Sequence, residues 1–177
     1  MKRRQTIYII LLPIVFVMGY FSCVVIHNKI ADIHSYRSVI DLRNLFGKDV
    51  VSLGDNSSIT FDTLFSHKKN LIIFWSPSCK FCRSIFHNQL NSEVVGIFCF
   101  PLTDDFEYVE YFVNKHEIRY PQLVCNTAEG MTSVEAPFVD AIPMLFIVDN
   151  QGNVLEEEIG INNIDSLFDF LYKDINS

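Results

Sequence analysis

Residues 71–90, LIIFWSPSCKFCRSIFHNQL, constrain the fold more than any other stretch of the chain. The stretch opens with Leu71, Ile72, Ile73 and Phe74, an apolar run rich in strand formers. It passes through Trp75, Ser76, Pro77 and Ser78 and reaches Cys79-Lys80-Phe81-Cys82. Beyond that point apolar residues fall at Cys82, Ile85, Phe86 and Leu90, which is helical spacing. A buried strand therefore runs into a turn, and the turn feeds a helix predicted to start at Cys79 and to run to about residue 91. Ser76 or Ser78 can serve as its N-cap.

That arrangement has a chemical consequence. The first turn of a helix carries unpaired N–H groups and a partial positive charge. A thiolate placed there is stabilised, and its pKa falls below the free value of about 8.5. Two cysteines separated by two residues can also close a disulfide. Cys79 is then the exposed attacking thiol and Cys82 the inner, resolving one. The competing reading is half of a zinc site, which uses the same spacing. Zinc needs a second ligand pair, and the sequence offers none: Cys99 and Cys125 stand alone, and no two of His27, His34, His67, His87 and His116 are three to five residues apart. No metal and no cofactor are expected, and no CxxCH haem-attachment motif occurs.

Charge is distributed unevenly. The chain has 177 residues and a net charge of −7, which argues against nucleic-acid binding. Lys2, Arg3, Arg4 and Lys29 precede residue 30, whereas all 21 acidic residues follow it. From residue 30 onward 10 basic residues face 21 acidic ones, a balance of −11. Residues 7–26 contain no charged side chain, and such a 20-residue helix spans about 30 Å, the thickness of a bilayer core. The basic tip before it is retained in the cytoplasm by the positive-inside rule, which places the rest outside the cytoplasmic membrane. A retained anchor fits better than a cleaved signal, because Tyr20 and Phe21 are bulky where a cleavage site needs small residues. Ser22-Cys23 leaves a lipoprotein signal as the alternative, although Tyr20 and Phe21 fit that pattern poorly too.

Three segments follow: residues 1–29 as basic tip and transmembrane anchor, 30–47 as a juxtamembrane segment with a short helix, and 48–177 as one domain. In the domain, residues 50–53 and 58–61 flank Gly54-Asp55-Asn56-Ser57 as strand, turn and strand. Residues 62–65 make one helical turn. After the CxxC helix, residues 94–100 form a strand buried on both faces, 104–118 a helix, 121–125 a short strand and 127–141 a loop with some helix. Residues 144–148 and 154–159 form strands around a hairpin turn, with Glu156, Glu157 and Glu158 on an exposed edge. Asn163 opens the last helix, with Ile164, Leu167, Phe168, Leu171 and Ile175 on one face. The pattern is an α/β layer fold, its sheet mostly parallel at the centre and antiparallel at one edge.

The run Phe74-Trp75-Ser76-Pro77-Ser78-Cys79-Lys80-Phe81-Cys82 resembles the FWAxWCxxC segment of thioredoxin-like proteins. Ile142-Pro143, before a strand and its Asp-x-x-Gly hairpin, resembles their IPT-type segment. With the apolar N-terminus and the inserted strand–helix pair, the chain is similar to the TlpA/ResA-like group of membrane-anchored or exported thiol–disulfide oxidoreductases, over roughly residues 45–175. The resemblance implies a thioredoxin-like fold, a central mixed β-sheet flanked by helices. It implies Cys79 and Cys82 as the catalytic pair. It also implies a cis Ile142–Pro143 bond facing them, with Ile142 and Pro143 receiving the partner's cysteine peptide. From the residues alone, an ordinary trans proline opening a strand is the preferred reading. Trp75 is read as part core and part wall of this site.

The sequence departs from the family at several positions. Ile73 stands where thioredoxins carry a buried Asp, and Ile85 where ResA-like proteins carry a Glu; either carboxylate would help move the proton of the second thiol. Ser78 stands where the family often has Trp, and Lys80 and Phe81 replace the usual Gly-Pro or Glu-Pro. Lys80 favours the Cys79 thiolate. Cys99 reads as a small buried hydrophobe, a Cys99–Cys125 disulfide is a further option, and His87 faces solvent. The function expected is reduction of disulfides in exported proteins, with a membrane electron donor as redox partner and no nucleic acid. The alternative is a non-catalytic binding module of the same fold that holds cysteine-containing partners. A copper chaperone would need CxxxC with a nearby His, and a peroxide-reducing relative a lone peroxidatic cysteine in a different motif; neither pattern is present.

Overall fold

The computed structural model describes residues 50–87, 90–136 and 139–173. The apolar segment 7–26, the basic tip and the juxtamembrane segment expected at 30–47 lie outside the described residues. Among the described residues no helix is long and apolar enough to cross a membrane.

The strand expected at 71–74 is the centre of the domain. It is β2, Lys69–Trp75, and every residue from Leu71 to Trp75 is fully buried. Strand β3, Gly96–Pro101, lies parallel to it on one side, with Ile73 opposite Cys99. Strand β6, Met144–Asp149, lies antiparallel on the other side, with Phe74 opposite Met144. Strand β7, Val154–Ile159, closes the edge antiparallel to β6, so the order is β3-β2-β6-β7. One parallel and two antiparallel pairs make this the mixed sheet that the resemblance implied, with less parallel pairing at its centre than the strand pattern alone suggested. Pairing is set by which strands meet in space, which a local apolar pattern does not encode. At the head of β3, Gly96 pairs with Asn70; a Cβ there would overrun the Asn70 amide and come to 2.8 Å from the Phe98 ring.

A second sheet holds β1 (Val50–Ser52), β4 (Leu123–Thr127) and β5 (Gly130–Thr132) in the order β1-β4-β5. The strand expected at 58–61 reduces to one bridge between Ser58 and Val51, and α1, Phe61–Leu64, takes over its end. Residues 127–141, read as a loop with some helix, instead supply β5, which folds back on β4. A parallel bridge between Cys99 and Gln122 ties β4 to β3.

The core follows the strand period of two. Leu71, Ile73 and Trp75, Ile97 and Cys99, and Leu145 and Ile147 all join one buried cluster. The same cluster takes in Cys82 and Ile85 of α2 (Cys82–Phe86), Val109 and Phe112 of α3 (Phe106–Lys115), and Leu167 and Leu171 of α4 (Ile164–Tyr172). On the alternate positions Phe74 stacks on Phe100 at 5.4 Å and meets Phe146 edge-on at 6.0 Å. Helix α3 is capped by Asp105, which accepts from the Tyr108 N–H at 3.1 Å. At the far end of β2, Lys69 donates to the Phe170 and Lys173 carbonyls that terminate α4.

Candidate active site

The site forms where β2 ends. The Trp75 carbonyl accepts from Leu102 N–H at 2.8 Å, which holds the strand end against the segment following β3. The chain then turns: the Cys79 N–H donates to the Ser76 carbonyl at 3.0 Å, and the Ser76 and Ser78 hydroxyls bond each other at 2.9 Å. Cys79 therefore precedes the helix. Helix α2 begins at Cys82, its N-cap is Phe81 without a side-chain cap bond, and it ends at Phe86 rather than near residue 91. Cys82 N–H donates to Cys79 O at 3.2 Å, a tight turn rather than a helical start. The expectation of a helix opening at Cys79, capped by Ser76 or Ser78, is thus corrected. The two serines spend their hydroxyls on each other.

Cys79 and Cys82 are joined by a disulfide, with Cα atoms 5.4 Å apart. Their surroundings differ. Cys82 is fully buried, whereas Cys79 is half-buried. The Cys82 N–H points at Cys79 Sγ at 3.2 Å. This one donor does what a helix start was expected to do: it favours negative charge on the Cys79 sulfur.

The Ile142–Pro143 bond is cis. Ile142 O lies 3.7 Å from Cys79 Sγ, so the two segments that the resemblance linked are in contact. The Pro143 carbonyl is anchored by the Gly160 N–H at 2.7 Å. Pro143 is buried and Ile142 half-buried, which leaves the Ile142 side of this segment, and not the proline ring, beside Cys79 at the surface.

Trp75 does not line the site. It is 0% exposed, packed edge-on against Phe86 at 4.9 Å and tilted against Phe112 at 5.3 Å. Its position on the inward side of β2 makes it core, and a partner peptide cannot touch it. Two residues were missed in the sequence. Phe81, between the cysteines, is 58% exposed and forms the apolar surface beside the disulfide. Gln122 is buried and accepts from Trp75 Nε1 at 3.0 Å while donating to Tyr120 O at 2.8 Å. Its one sequence signal is a lone amide in the otherwise apolar run before Cys125.

Ile73 and Ile85 are both fully buried in the cluster that holds Cys82, so apolar groups occupy the places where the family carries a carboxylate. Cys99 and Cys125 are buried and are not joined by a disulfide. Burial pushes the Cys99 thiol well above its ordinary range, against a smaller opposing effect of the Gln122 side chain. Among the described residues no cluster of three or more His, Cys, Asp or Glu side chains could hold a metal ion.

No protein-family model matches this sequence, and no curated protein matches it. Solved structures do. The chain is similar to MTB dsbF, seen in mixed oxidized and reduced forms, with 25% identity and a TM-score of 0.54 over 70% of this chain and 91% of that one. It is also similar to a thio-disulfide isomerase from Thermus thermophilus, at 23% identity and a TM-score of 0.56, covering 69% and 87%. A thioredoxin-related protein from Neisseria meningitidis serogroup B aligns with a TM-score of 0.51 at 17% identity, covering 68% and 93%. The fold is therefore thioredoxin-like, and the structures it resembles are thiol–disulfide oxidoreductases. Within that fold the chain has a Cys79–Cys82 pair at disulfide distance.

Proposed function

We propose that this chain is a membrane-anchored, extracytoplasmic enzyme that reduces disulfides of exported proteins through Cys79 and Cys82. The observation that carries the reading is the asymmetry of the pair: a half-buried Cys79 whose sulfur faces Ile142 O, and a fully buried Cys82.

In the reduced enzyme the Cys79 thiolate attacks one sulfur of the substrate disulfide. A mixed disulfide forms and one substrate thiolate leaves. The Cys82 thiolate then attacks Cys79 Sγ and releases the second substrate thiolate. Two electrons pass to the substrate, and the enzyme is left as the Cys79–Cys82 disulfide. A membrane electron donor returns it to the dithiol. Ile142, with a backbone carbonyl beside Cys79, is placed to pair with the peptide that carries the substrate cysteine. The proton of Cys82 leaves through solvent, since the side chains at 73 and 85 are apolar. The direction of electron flow rests on the resemblance to TlpA/ResA-like reductases, and the anchor on the uncharged run 7–26 behind a basic tip.

Cys82→Ser tests the mechanism. It should accumulate a mixed disulfide through Cys79 with an exported protein, resolved on non-reducing gels and lost in the Cys79→Ser, Cys82→Ser double variant. If Cys82→Ser traps nothing while the wild-type protein binds cysteine-containing partners without exchange, the binding-module reading replaces the enzyme. The apolar Ile73 and Ile85 are the observation that favours that second reading.

A further inference from the structure

Downstream of residue 30 the chain is strongly acidic, yet one side of the disulfide is cationic. Lys80 lies between the cysteines, Arg83 follows Cys82 on α2, and His87 ends that helix; all three are exposed. The Arg83 guanidinium sits 5.4 Å from the Phe112 ring centroid on α3, and the same ring packs on His116 at 4.3 Å. The His87 and His116 rings are 6.4 Å apart. Lys115, exposed in the last turn of α3 and adjacent to His116 in the chain, donates to the Tyr111 hydroxyl at 3.3 Å and lies over that ring. Among the described residues none of Lys80, Arg83 and Lys115 has a carboxylate within ion-pair distance. The charged groups acting on His116 are Arg83, Lys115 and His87, all basic.

Two carboxylates at the entry to α3 have other partners. Asp104 accepts from the Ser133 N–H and Asp105 caps α3. Glu110 borders the cleft it shares with Ser52, Asp55 and Arg119. Asp140 is exposed two residues ahead of Ile142. Cys79 Sγ lies 3.7 Å from Ile142 O, ahead of β6, whereas Arg83, next to Cys82, faces Phe112 of α3, which follows β3 on the other side of β2. Lys80, Arg83 and His87 thus give the disulfide a cationic flank. Phe81 gives it an apolar projection.

We propose that the face formed by Lys80, Arg83, His87 and Lys115 docks an acidic polypeptide segment next to the partner's cysteine. The proposal rests on the disulfide-exchange reading and names the partner's chemistry. Surface cations with no carboxylate partner at a redox centre attract carboxylates over a Debye length, raise the encounter rate and fix which side of the partner meets them. On a protein of overall acidic charge such a face discriminates between partners, because a uniformly acidic surface would repel the same segment.

The test uses the reduced full-length chain in non-ionic detergent and three symmetric peptide disulfides whose cysteines are flanked by Glu, Gln or Lys. Each reaction converts one peptide disulfide to two peptide thiols and the protein dithiol to its disulfide. Trp75, the only tryptophan, reports the rate by fluorescence. At low salt the Glu peptide should react about tenfold faster than the Lys peptide, and 0.5 M salt should collapse the ratio toward one. Arg83→Glu should invert the order, and Arg83→Gln should reduce the ratio by about half. The ratio is read because it cancels any general change in thiol reactivity. Equal rates for the three peptides, or a ratio that neither salt nor Arg83 alters, would overturn the docking face while leaving the redox reading intact. Failure of all three peptides to oxidise the protein would overturn the redox reading itself. A salt-sensitive dimer that Arg83→Glu dissolves would assign the face to a second copy of this chain instead.

Discussion

At the residue scale, the chemistry rests on two sulfurs with unequal access, and their setting rests on an amide. Gln122 holds the only tryptophan at its indole N–H, and Trp75 in turn packs on Phe86 of the helix that carries Cys82. Gln122→Leu leaves that N–H buried without its acceptor. Stability should fall by about 1–3 kcal/mol, measured by denaturant unfolding, with Trp75 fluorescence shifted in the native state. Cys99 makes a second prediction, in pH. Burial raises its folded-state pKa, so the thiol stays neutral in the fold while the unfolded chain ionises above about 8.5. Stability is therefore unaffected below that value and declines above it, by up to about 1.4 kcal/mol per pH unit for one proton. Unfolding midpoints between pH 8 and 9.5 should show this slope, and Cys99→Ala should flatten it. The cysteines and the Ile142–Pro143 segment were legible from sequence because reactive residue types in fixed spacing are local signals. Gln122 was not, because its role comes from the Cys99–Gln122 bridge between strands far apart in the chain.

At the element scale, the legible parts were those with one dominant periodicity. Strands β2, β3 and β6 fall where apolar runs place them, β7 where the hairpin turn after β6 does, and α3 and α4 where a 3.6-residue spacing does. The CxxC helix shows how that signal misleads. Ile85 and Phe86 carry helical spacing back to Cys82, but residues 79–81 are held in turns by the Ser76 carbonyl, so the regular helix is only Cys82–Phe86. So short an element has little intrinsic stability and depends on what it buries. Ile85 and Cys82 are its buried side chains. Ile85→Ala should cost about 2–4 kcal/mol and should loosen the disulfide loop, seen as faster amide exchange at residues 79–86. A loss under 1 kcal/mol would mean that the loop, not the helix, holds the site. The strand order was not legible, since β1 meets β4 and β3 meets Gln122 only after chain reversals that no local pattern specifies.

At the scale of the whole molecule, an acidic thioredoxin-like domain follows an uncharged segment of membrane length. An anchored enzyme predicts that the full chain stays with membranes through high salt and alkaline carbonate extraction, and that external protease removes the domain from spheroplasts. Release by carbonate would instead indicate a cleaved or peripheral form, and a shift in mass at Cys23 would indicate acylation. The account turns most directly on the reduction potential of the Cys79–Cys82 couple in the full chain, equilibrated in dithiothreitol or glutathione buffers with the thiols trapped and mapped. It predicts one two-electron couple at a low potential, near the value of about −270 mV typical of thioredoxin. A potential of about −120 to −180 mV would contradict reduction as the direction of flow, and failure of Cys79 and Cys82 to titrate as a pair would contradict the enzyme itself.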